Sequence, residues 1–275
     1  MTPEPIKRRL ISHSEVDTLG QCEYKHYYAH ELKLESINHS DNLALGNTGH
    51  AFMQVFLQSI KDGETDEQAK VKATHHIISM PRAARALEIC YDWIRLIWPN
   101  LDWKIVAVEI EYRVVISETL VYPMKADVLV ETEGKLAVVD HKFIYDFYPR
   151  EVIEIMPQLP RYIAGMRNQG IKVDFAIYNM MRTREVKDED KKFSMIPTYP
   201  SNTRVLQSFK EQIEGMQRIE NGIPFRVRTA TKVNCANCQF KEICTMDLNG
   251  EDSKLHKEVF FKPNTYGYKD TDESD

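Results

Sequence analysis

The sequence predicts an α/β protein in which a mixed central sheet is flanked by helices and the N-terminal portion is mostly helical. Residues 14–100 carry apolar side chains at helical spacing, whereas residues 104–181 contain the alternating apolar pattern of β-strands. A long helix and a cysteine-rich segment follow at 201–248. We expect residues 1–265 to form a single domain and the acidic residues 266–275 to be a disordered tail.

The helical portion contains two signals for the start of a helix. In each, a hydroxyl residue is followed three residues later by a side chain that can complete a capping box. These pairs are Ser14 with Asp17, and Thr65 with Gln68. We expect the first pair to open a helix over about residues 15–31 that carries Cys22.

Three later segments are predicted to be strands: the first alternates between apolar and polar residues, and the third is apolar on both faces, as in a central strand covered by helices. In the first, residues 104–116, the even-numbered side chains from residue 106 onward are predicted to share one face. The second and third are residues 122–132 and 135–143. The Glu133-Gly134 pair between them favours a two-residue hairpin loop.

This hairpin predicts that two aspartates face each other. Counting back equally from the loop sets Asp127 opposite Asp140, with β-carbons about 5 Å apart on one face of the sheet. Like charges at that distance are unfavourable unless a cation lies between them, and Mg²⁺ or Mn²⁺ prefers carboxylate oxygens. Lys142 would point to the same face, where it can orient water or stabilise developing charge. A surface hairpin with an ion pair from Asp140 to a nearby lysine is the alternative explanation.

Composition and charge argue against several classes of protein. The net charge is −5, so bulk charge does not indicate nucleic-acid binding. No apolar run approaches the roughly 20 residues that span a bilayer, and the P-loop sequence of a helicase motor is not present. The N-terminus lacks the apolar run of a signal peptide, so we expect a reducing cytoplasm in which disulfides are rare.

Five cysteines in such a compartment indicate metal binding rather than disulfides. Cys235, Cys238 and Cys244 have C-x2-C-x5-C spacing, which suits three corners of an iron–sulfur cluster. The fourth ligand must come from elsewhere, and if it is Cys22 the cluster joins the two ends of the fold. Zinc is the alternative, although zinc sites more often use two close pairs. Cys90 belongs to no motif and is expected to be structural.

Six segments, in order along the chain, resemble one family. They are SHSEVDTLGQCEYKHYY, LGNTGHAFMQVF, YPMKADVLV, LAVVDHKF, QLPRYIAGM and CANCQFKEIC. Together they resemble the RecB-like branch of the PD-(D/E)XK nuclease superfamily, of the type found in the AddB nuclease domain and the CRISPR-associated adaptation nucleases. Met124 stands where relatives often have a small residue, and Asp140 where many have Glu. Neither departure removes a metal ligand.

The resemblance implies a restriction-endonuclease-like fold with a divalent cation, Mg²⁺ or Mn²⁺, at the catalytic site. The groups implied to bind this cation are His50, Asp127, Asp140 and the backbone carbonyl of His141. The residues implied to act with it are Lys142, Gln158 and Tyr162. The cysteines implied to bind a [4Fe–4S] cluster are Cys22, Cys235, Cys238 and Cys244. Glu109 and Glu111 could add negative charge nearby but are left out of this set.

The resemblance also implies a metal-dependent DNA nuclease, and specifically an exonuclease on single-stranded or resected ends in recombination, repair or DNA processing. The arginines expected to contact the DNA backbone are Arg161, Arg182, Arg184 and Arg226. A helicase or recombination protein is an expected partner, a homo-oligomer is compatible with the sequence, and a membrane is not expected. The cell would be bacterial, archaeal or phage-infected. The alternative function is a non-catalytic DNA-binding subunit of a recombination or CRISPR adaptation complex.

Overall fold

The computed structural model of the chain describes residues 8–37 and 41–264, which form two compact units. The described residues of the first unit are 8–37, 113–123 and 210–264, and those of the second are 41–112 and 124–209. The predicted tail at 266–275 lies outside the described residues. The single-domain organisation stays a prediction.

Short helices and small strand pairings build the first unit. Its strands are β1 (Arg9–Leu10), β2 (Leu34–Ser36) and β8 (Phe261–Pro263), and its helices are α1 (His13–Gln21), α2 (Glu23–His26), α9 (Lys232–Ala236), α10 (Lys241–Leu248) and α11 (Lys254–Phe260). A π-helical turn, Tyr27–Glu31, follows α2. β1 runs parallel to residues 120–121, and β2 runs antiparallel to β8.

The predicted helix over residues 15–31 is interrupted at Cys22. This residue is extended, with φ −168° and ψ 123°, and it separates α1 from α2. The predicted capping box is also wrong, because Ser12 rather than Ser14 caps α1 and accepts a hydrogen bond of 3.2 Å from the Glu15 amide. Gly20, in the last turn of α1 two residues before the break, is a local signal that the predicted continuous helix did not take into account.

Pairing of β2 with β8 brings early and late segments of the first unit together. Ser36 pairs with Phe261, whose ring stacks on that of Phe240 with centroids 5.6 Å apart. The buried residues of this small core are Tyr28, Phe240, Ile243 and Phe261. Strand pairing and apolar packing thus hold these segments together, a role that the sequence assigned to a metal cluster alone.

A mixed sheet forms the centre of the second unit. Its strands are β3 (Lys104–Val115), β4 (Leu120–Thr132), β5 (Lys135–Ile144), β6 (Phe175–Arg182) and β7 (Phe193–Thr198), of which β3 and β4 extend into the first unit. β4 pairs with β3 and, antiparallel, with β5; β5 and β6 are parallel, and β6 and β7 are antiparallel. The predicted α/β class with a mixed central sheet is confirmed.

The β4–β5 hairpin has the predicted register. Thr132 and Lys135 flank the loop as a pair, and the register continues to Val128 opposite Val139. The two loop residues have φ of 50° and 69°, both in the left-handed region that a type I′ turn requires. Loop geometry therefore sets which residues face each other along both strands.

Helices cover the sheet of the second unit. They are α3 (Asp41–Lys61), α4 (Asp66–Ile77), α5 (Ala83–Leu96), α6 (Arg150–Ile155), α7 (Gln158–Asn168) and the first half of α8 (Asn202–Glu220), with 3₁₀ turns at Trp98–Asn100 and Glu189–Lys191. α4 begins at the predicted capping box of Thr65 with Gln68. Of the helices in the part of the chain that the structure describes, none has the length and apolar character needed to cross a membrane.

The main core lies between α3, α4, α5 and the sheet. Phe52 and Phe56 of α3 share it with Trp93 of α5, and all three are fully buried. The segment of β5 at 137–139 is buried at every position, so this strand is covered on both faces. The prediction that β5 is a central, covered strand is confirmed.

β3 departs from the predicted alternation at Glu109. This residue has φ 52°, which lies in the left-handed region that residues other than glycine rarely adopt. Ile105 is buried before it and Val114 after it, whereas Val106 is 38% exposed. The even-numbered residues therefore do not share one face, because one left-handed residue shifts the alternation as a β-bulge does.

Gly134→Ala should lower the free energy of unfolding by about 1 kcal/mol, because an alanine Cβ is unfavourable at φ 69°. Gly134→Asn should retain most of the stability, since asparagine tolerates this conformation better. Chemical denaturation of both variants measures the difference. Equal stabilities would contradict the left-handed loop.

Candidate active site

Two carboxylates lie at the end of the β4–β5 pairing that is farther from the loop. Asp140 of β5 is only 2% exposed. Asp127 comes directly before the part of β4 that pairs with β5, and its Oδ2 accepts a hydrogen bond of 2.7 Å from the amide of His141. The Asp127 side chain thus reaches β5 at the residue next to Asp140, and the two acidic groups lie near each other.

Both oxygens of Asp140 have partners. Lys142 Nζ lies 2.8 Å from Oδ2, and Gln158 Nε2 donates to Oδ1 at 2.9 Å. The same Gln158 nitrogen lies 3.0 Å from Tyr162 Oη, one turn further along α7. Gln158 therefore orients Asp140, which in turn pairs with Lys142.

His50 of α3 lies on the Asp127 side of this group. Its Nδ1 is 3.5 Å from Asp127 Oδ2, and its ring contacts that of Phe143 with centroids 5.5 Å apart. A Cβ on the preceding residue, Gly49, would overlap the Phe143 ring, so α3 can approach β5 only without a side chain there. Gly46, four residues before His50, has open space around its Cβ position.

A buried chain of hydrogen bonds holds the side chain of His141. Trp93 Nε1 donates to Asn179 Oδ1 at 3.1 Å, and Asn179 Nδ2 lies 2.8 Å from His141 Nδ1. With Asn179 as donor, His141 Nδ1 accepts and the proton is on Nε2. Sequence reasoning missed both Trp93 and Asn179. The available signal was a lone asparagine inside the apolar strand β6.

Burial and mutual repulsion control the charges of the acidic and histidine side chains. Burial, and next the charge of Asp140, raise the pKa of Asp127 well above its ordinary value, against the opposing effects of the His141 amide and Lys142. Burial lowers the pKa of His50, and it lowers that of His141 to about 3. His50 is therefore neutral near pH 7, the state in which imidazole binds metals.

Lys142 keeps its proton although it is largely enclosed. Burial acts to lower its pKa, but the attraction of Asp140 and Asp127 outweighs burial and the pKa is raised. The site thus contains a permanent ammonium beside two carboxylates. It can donate hydrogen bonds or stabilise negative charge, but it is not a free base.

The donor set suits a hard divalent cation. Two carboxylates, a neutral imidazole and a backbone carbonyl are ligand types that Mg²⁺ and Mn²⁺ accept. Among the described residues, no three His, Cys, Asp or Glu side chains already converge as a metal cage. Burial, and next the charge of Asp140, raise the pKa of Asp127, and a cation between the two carboxylates would oppose both effects. The charges of the residues present therefore fit such a cation.

The four motif cysteines surround one cavity of the first unit, although among the described residues no three of them converge as a metal cage. Cys22, Cys235, Cys238 and Cys244 line one cavity of about 160 Å³, and all are free thiols. Burial, and also the proximity of Cys22 and Cys235, raise the pKa of Cys238. Free thiols around one cavity fit a thiolate-bound metal group in their chemistry. Cys90 instead lies in the core of the second unit.

The four predicted DNA-contacting arginines have partners within the protein. Arg161 is only 5% exposed, and its Nε donates to a backbone carbonyl of α8. Arg182 and Arg184 share Asp146 as a partner. Arg226 pairs with a glutamate of the π-helical turn in the first unit. Arg161 is therefore not a surface residue, whereas Arg184 remains 38% exposed at its side chain.

Comparisons with known proteins identify a family. The sequence model of the PD-(D/E)XK nuclease superfamily matches residues 10–245. No curated protein has a matching sequence. The crystal structure of SSO0001 is similar at 13% identity and a TM-score of 0.41, over 86% of this chain and 85% of that one.

LHK-Exo, an alkaline exonuclease from Laribacter hongkongensis, is similar at 10% identity and a TM-score of 0.30, over 72% of this chain and 98% of that one. Its complex with dAMP has 10% identity and a TM-score of 0.32, over 62% of this chain and 87% of that one. TM-scores this low carry no inference about function.

Gly49→Ala should lower the free energy of unfolding by about 1–3 kcal/mol, because the new Cβ forces the Phe143 ring away from α3. Gly46→Ala on the same helix is the control and should be neutral or slightly stabilising, since it meets no atom within 4 Å. Thermal or chemical denaturation compares them. Equal effects would contradict the close approach of α3 to β5.

Proposed function

The chain belongs to the PD-(D/E)XK nuclease superfamily, and on that premise we propose that it is a metal-dependent deoxyribonuclease that degrades DNA from single-stranded or resected ends. The observation that carries the proposal is the cluster of Asp127, Asp140, Lys142 and Gln158 with His50 beside it. A carboxylate pair with an adjacent ammonium is suited to phosphodiester hydrolysis.

We propose that Asp127, Asp140, His50 and the carbonyl of His141 hold Mg²⁺ or Mn²⁺. When bound, the cation would supply positive charge for the scissile phosphate and lower the pKa of a coordinated water. The amide of His141 fixes Asp127, and Gln158 fixes Asp140, so both carboxylates are already oriented. Preorganised groups of this kind need no rearrangement during the reaction.

Lys142 would act on the substrate through its charge. Because the pKa of Lys142 is raised, its ammonium stays protonated at neutral pH. An ammonium held 2.8 Å from Asp140 can donate to the attacking water or to a phosphate oxygen that gains negative charge. It therefore positions water and stabilises the transition state rather than removing a proton.

We also propose that Cys22, Cys235, Cys238 and Cys244 hold a [4Fe–4S] cluster. Support comes from four free thiols around one cavity, contributed by early and late parts of the chain. Such a cluster would brace the first unit in addition to the β2–β8 pairing. A zinc ion is the competing occupant.

A helicase or recombination protein that delivers DNA ends is the partner that this function suggests. The competing function is a non-catalytic DNA-binding subunit of a recombination or CRISPR adaptation complex. That reading predicts DNA binding without any cleavage. A retained set of carboxylates, lysine and glutamine favours the enzyme.

Asp140→Asn should slow Mn²⁺-dependent digestion of DNA by about 10³-fold or more, because it removes the charge that holds both Lys142 and the cation. Digestion of 5′- and 3′-labelled DNA by anaerobically purified protein measures the rate and, from the label released first, the polarity. Glu131→Gln, an exposed charge on β4, is the control and should cleave normally. A wild-type protein that binds DNA but never cleaves it would support the competing function.

Cys235→Ser should abolish the brown colour and visible absorbance of anaerobically purified protein, because one cluster ligand is lost. Cys90→Ala is the control and should keep the colour, since Cys90 is buried elsewhere. Asp140→Asn should also keep it, because the two sites use different residues. Colourless wild-type protein with one equivalent of zinc would instead establish the zinc alternative.

A further inference from the structure

An ion pair lies beside Asp127 that the proposed chemistry does not use. Lys125 precedes Asp127 by two residues on β4, so the two side chains point to the same face of the strand. Its Nζ pairs with Glu109 Oε2 of β3. The Glu109 side chain is 17% exposed and that of Lys125 is 45% exposed. The carboxylate is therefore mostly enclosed, whereas the ammonium meets solvent at the edge of the site.

The backbone at Glu109 indicates that the position of its carboxylate matters. A left-handed residue other than glycine inside a strand is strained and persists only where surrounding contacts hold it. Residues in such conformations concentrate at functional sites. Here the strained residue is the one whose carboxylate holds Lys125.

The two lysines of the site differ in their exposure to solvent and in their partners. Lys142 is 22% exposed and is engaged by the buried Asp140. Lys125 is twice as exposed and lies among Glu109, Glu111 and Asp127. Lys125 is thus the more exposed of the two cations, and it pairs with Glu109 rather than with a carboxylate proposed to bind the metal.

We propose that Lys125 is a positioning residue that binds a backbone phosphate of the nucleic acid next to the phosphate being cleaved. This inference rests on the proposed nuclease function. A phosphodiester approaching Asp127 and Asp140 is repelled by both carboxylates, and an exposed ammonium beside Asp127 offsets that repulsion. Lysine binds phosphate as a compact charge and does not need the fixed fork geometry of arginine. The ammonium can therefore move from Glu109 to the substrate.

An ordinary surface ion pair is the competing explanation, and the same two strands supply a matched control. Lys104 of β3 pairs with Glu131 of β4 at 2.9 Å, with side chains 76% and 45% exposed. It joins the same strands near the hairpin loop, at the end away from Asp127. A cation whose only role is to link β3 and β4 would behave the same at both positions.

Steady-state digestion of labelled single-stranded DNA with Mn²⁺ separates the two explanations. Lys125→Ala should raise KM about tenfold while kcat changes less than about threefold. The variant loses a contact to the phosphate next to the one being cleaved, whereas the groups that perform the chemistry stay in place. Lys125→Arg should recover most of the affinity, and Lys104→Ala should not change KM. An unchanged KM in Lys125→Ala, or a fall in kcat alone, would overturn the proposal.

Salt dependence of binding gives a readout that does not need cleavage. In the Asp140→Asn background, Lys125→Ala should reduce the slope of log affinity against log salt by about 0.7, the value for one phosphate contact on a single strand. Lys104→Ala should not alter it. Fluorescence anisotropy of a labelled oligonucleotide measures both variants.

The outcomes distinguish this inference from the proposed function. DNA binding without cleavage, with the slope reduced in Lys125→Ala, would overturn the nuclease and support the phosphate contact. If the wild-type protein cleaves DNA and the salt-dependence slope is unchanged in Lys125→Ala, only the proposed Lys125 contact would be overturned. A wild-type protein that binds no DNA would overturn both.

Discussion

The placement of two carboxylates side by side, Asp140 buried and Asp127 partly buried, is the constraint on which the second unit depends. Burial, and next the charge of Asp140, raise the pKa of Asp127. The surrounding elements supply compensation: the amide of His141, the ammonium of Lys142 and the amide of Gln158 each contact one carboxylate. A divalent cation would complete that compensation, which connects the electrostatics of the fold to the hydrolysis proposed for it.

Rigid packing explains how these groups are held in position. β5 is buried on both faces, so the residues at its end cannot move independently of the core. Trp93 and Asn179 connect that core to His141 by hydrogen bonds, and His141 in turn supports Asp127. Gly49 allows α3 close enough to bring His50 to the same place. Trp93 and Asn179, which lie outside every motif, therefore contribute to the geometry together with the motif residues.

Spacing along the chain predicted the features that depend on neighbouring residues. A two-residue loop sets the register of its hairpin, so the pairing of Thr132 with Lys135 could be derived by counting. The capping box at Thr65 is equally local. The left-handed residue Glu109 could not be derived, because it is a single residue in an unusual conformation without a glycine to signal it. The break at Cys22 is one extended residue between two helices, which helical periodicity does not reveal.

By itself the sequence determined the α/β class, the hairpin register and the family, because periodicity, turn chemistry and motif order are properties of the linear chain. Only the tertiary structure decided which side chains act together. It enclosed Arg161, joined Asn179 to His141 and turned Glu109 toward Lys125. The physical reason is that burial, hydrogen bonding and charge depend on the distance between atoms in space, which sequence separation does not specify.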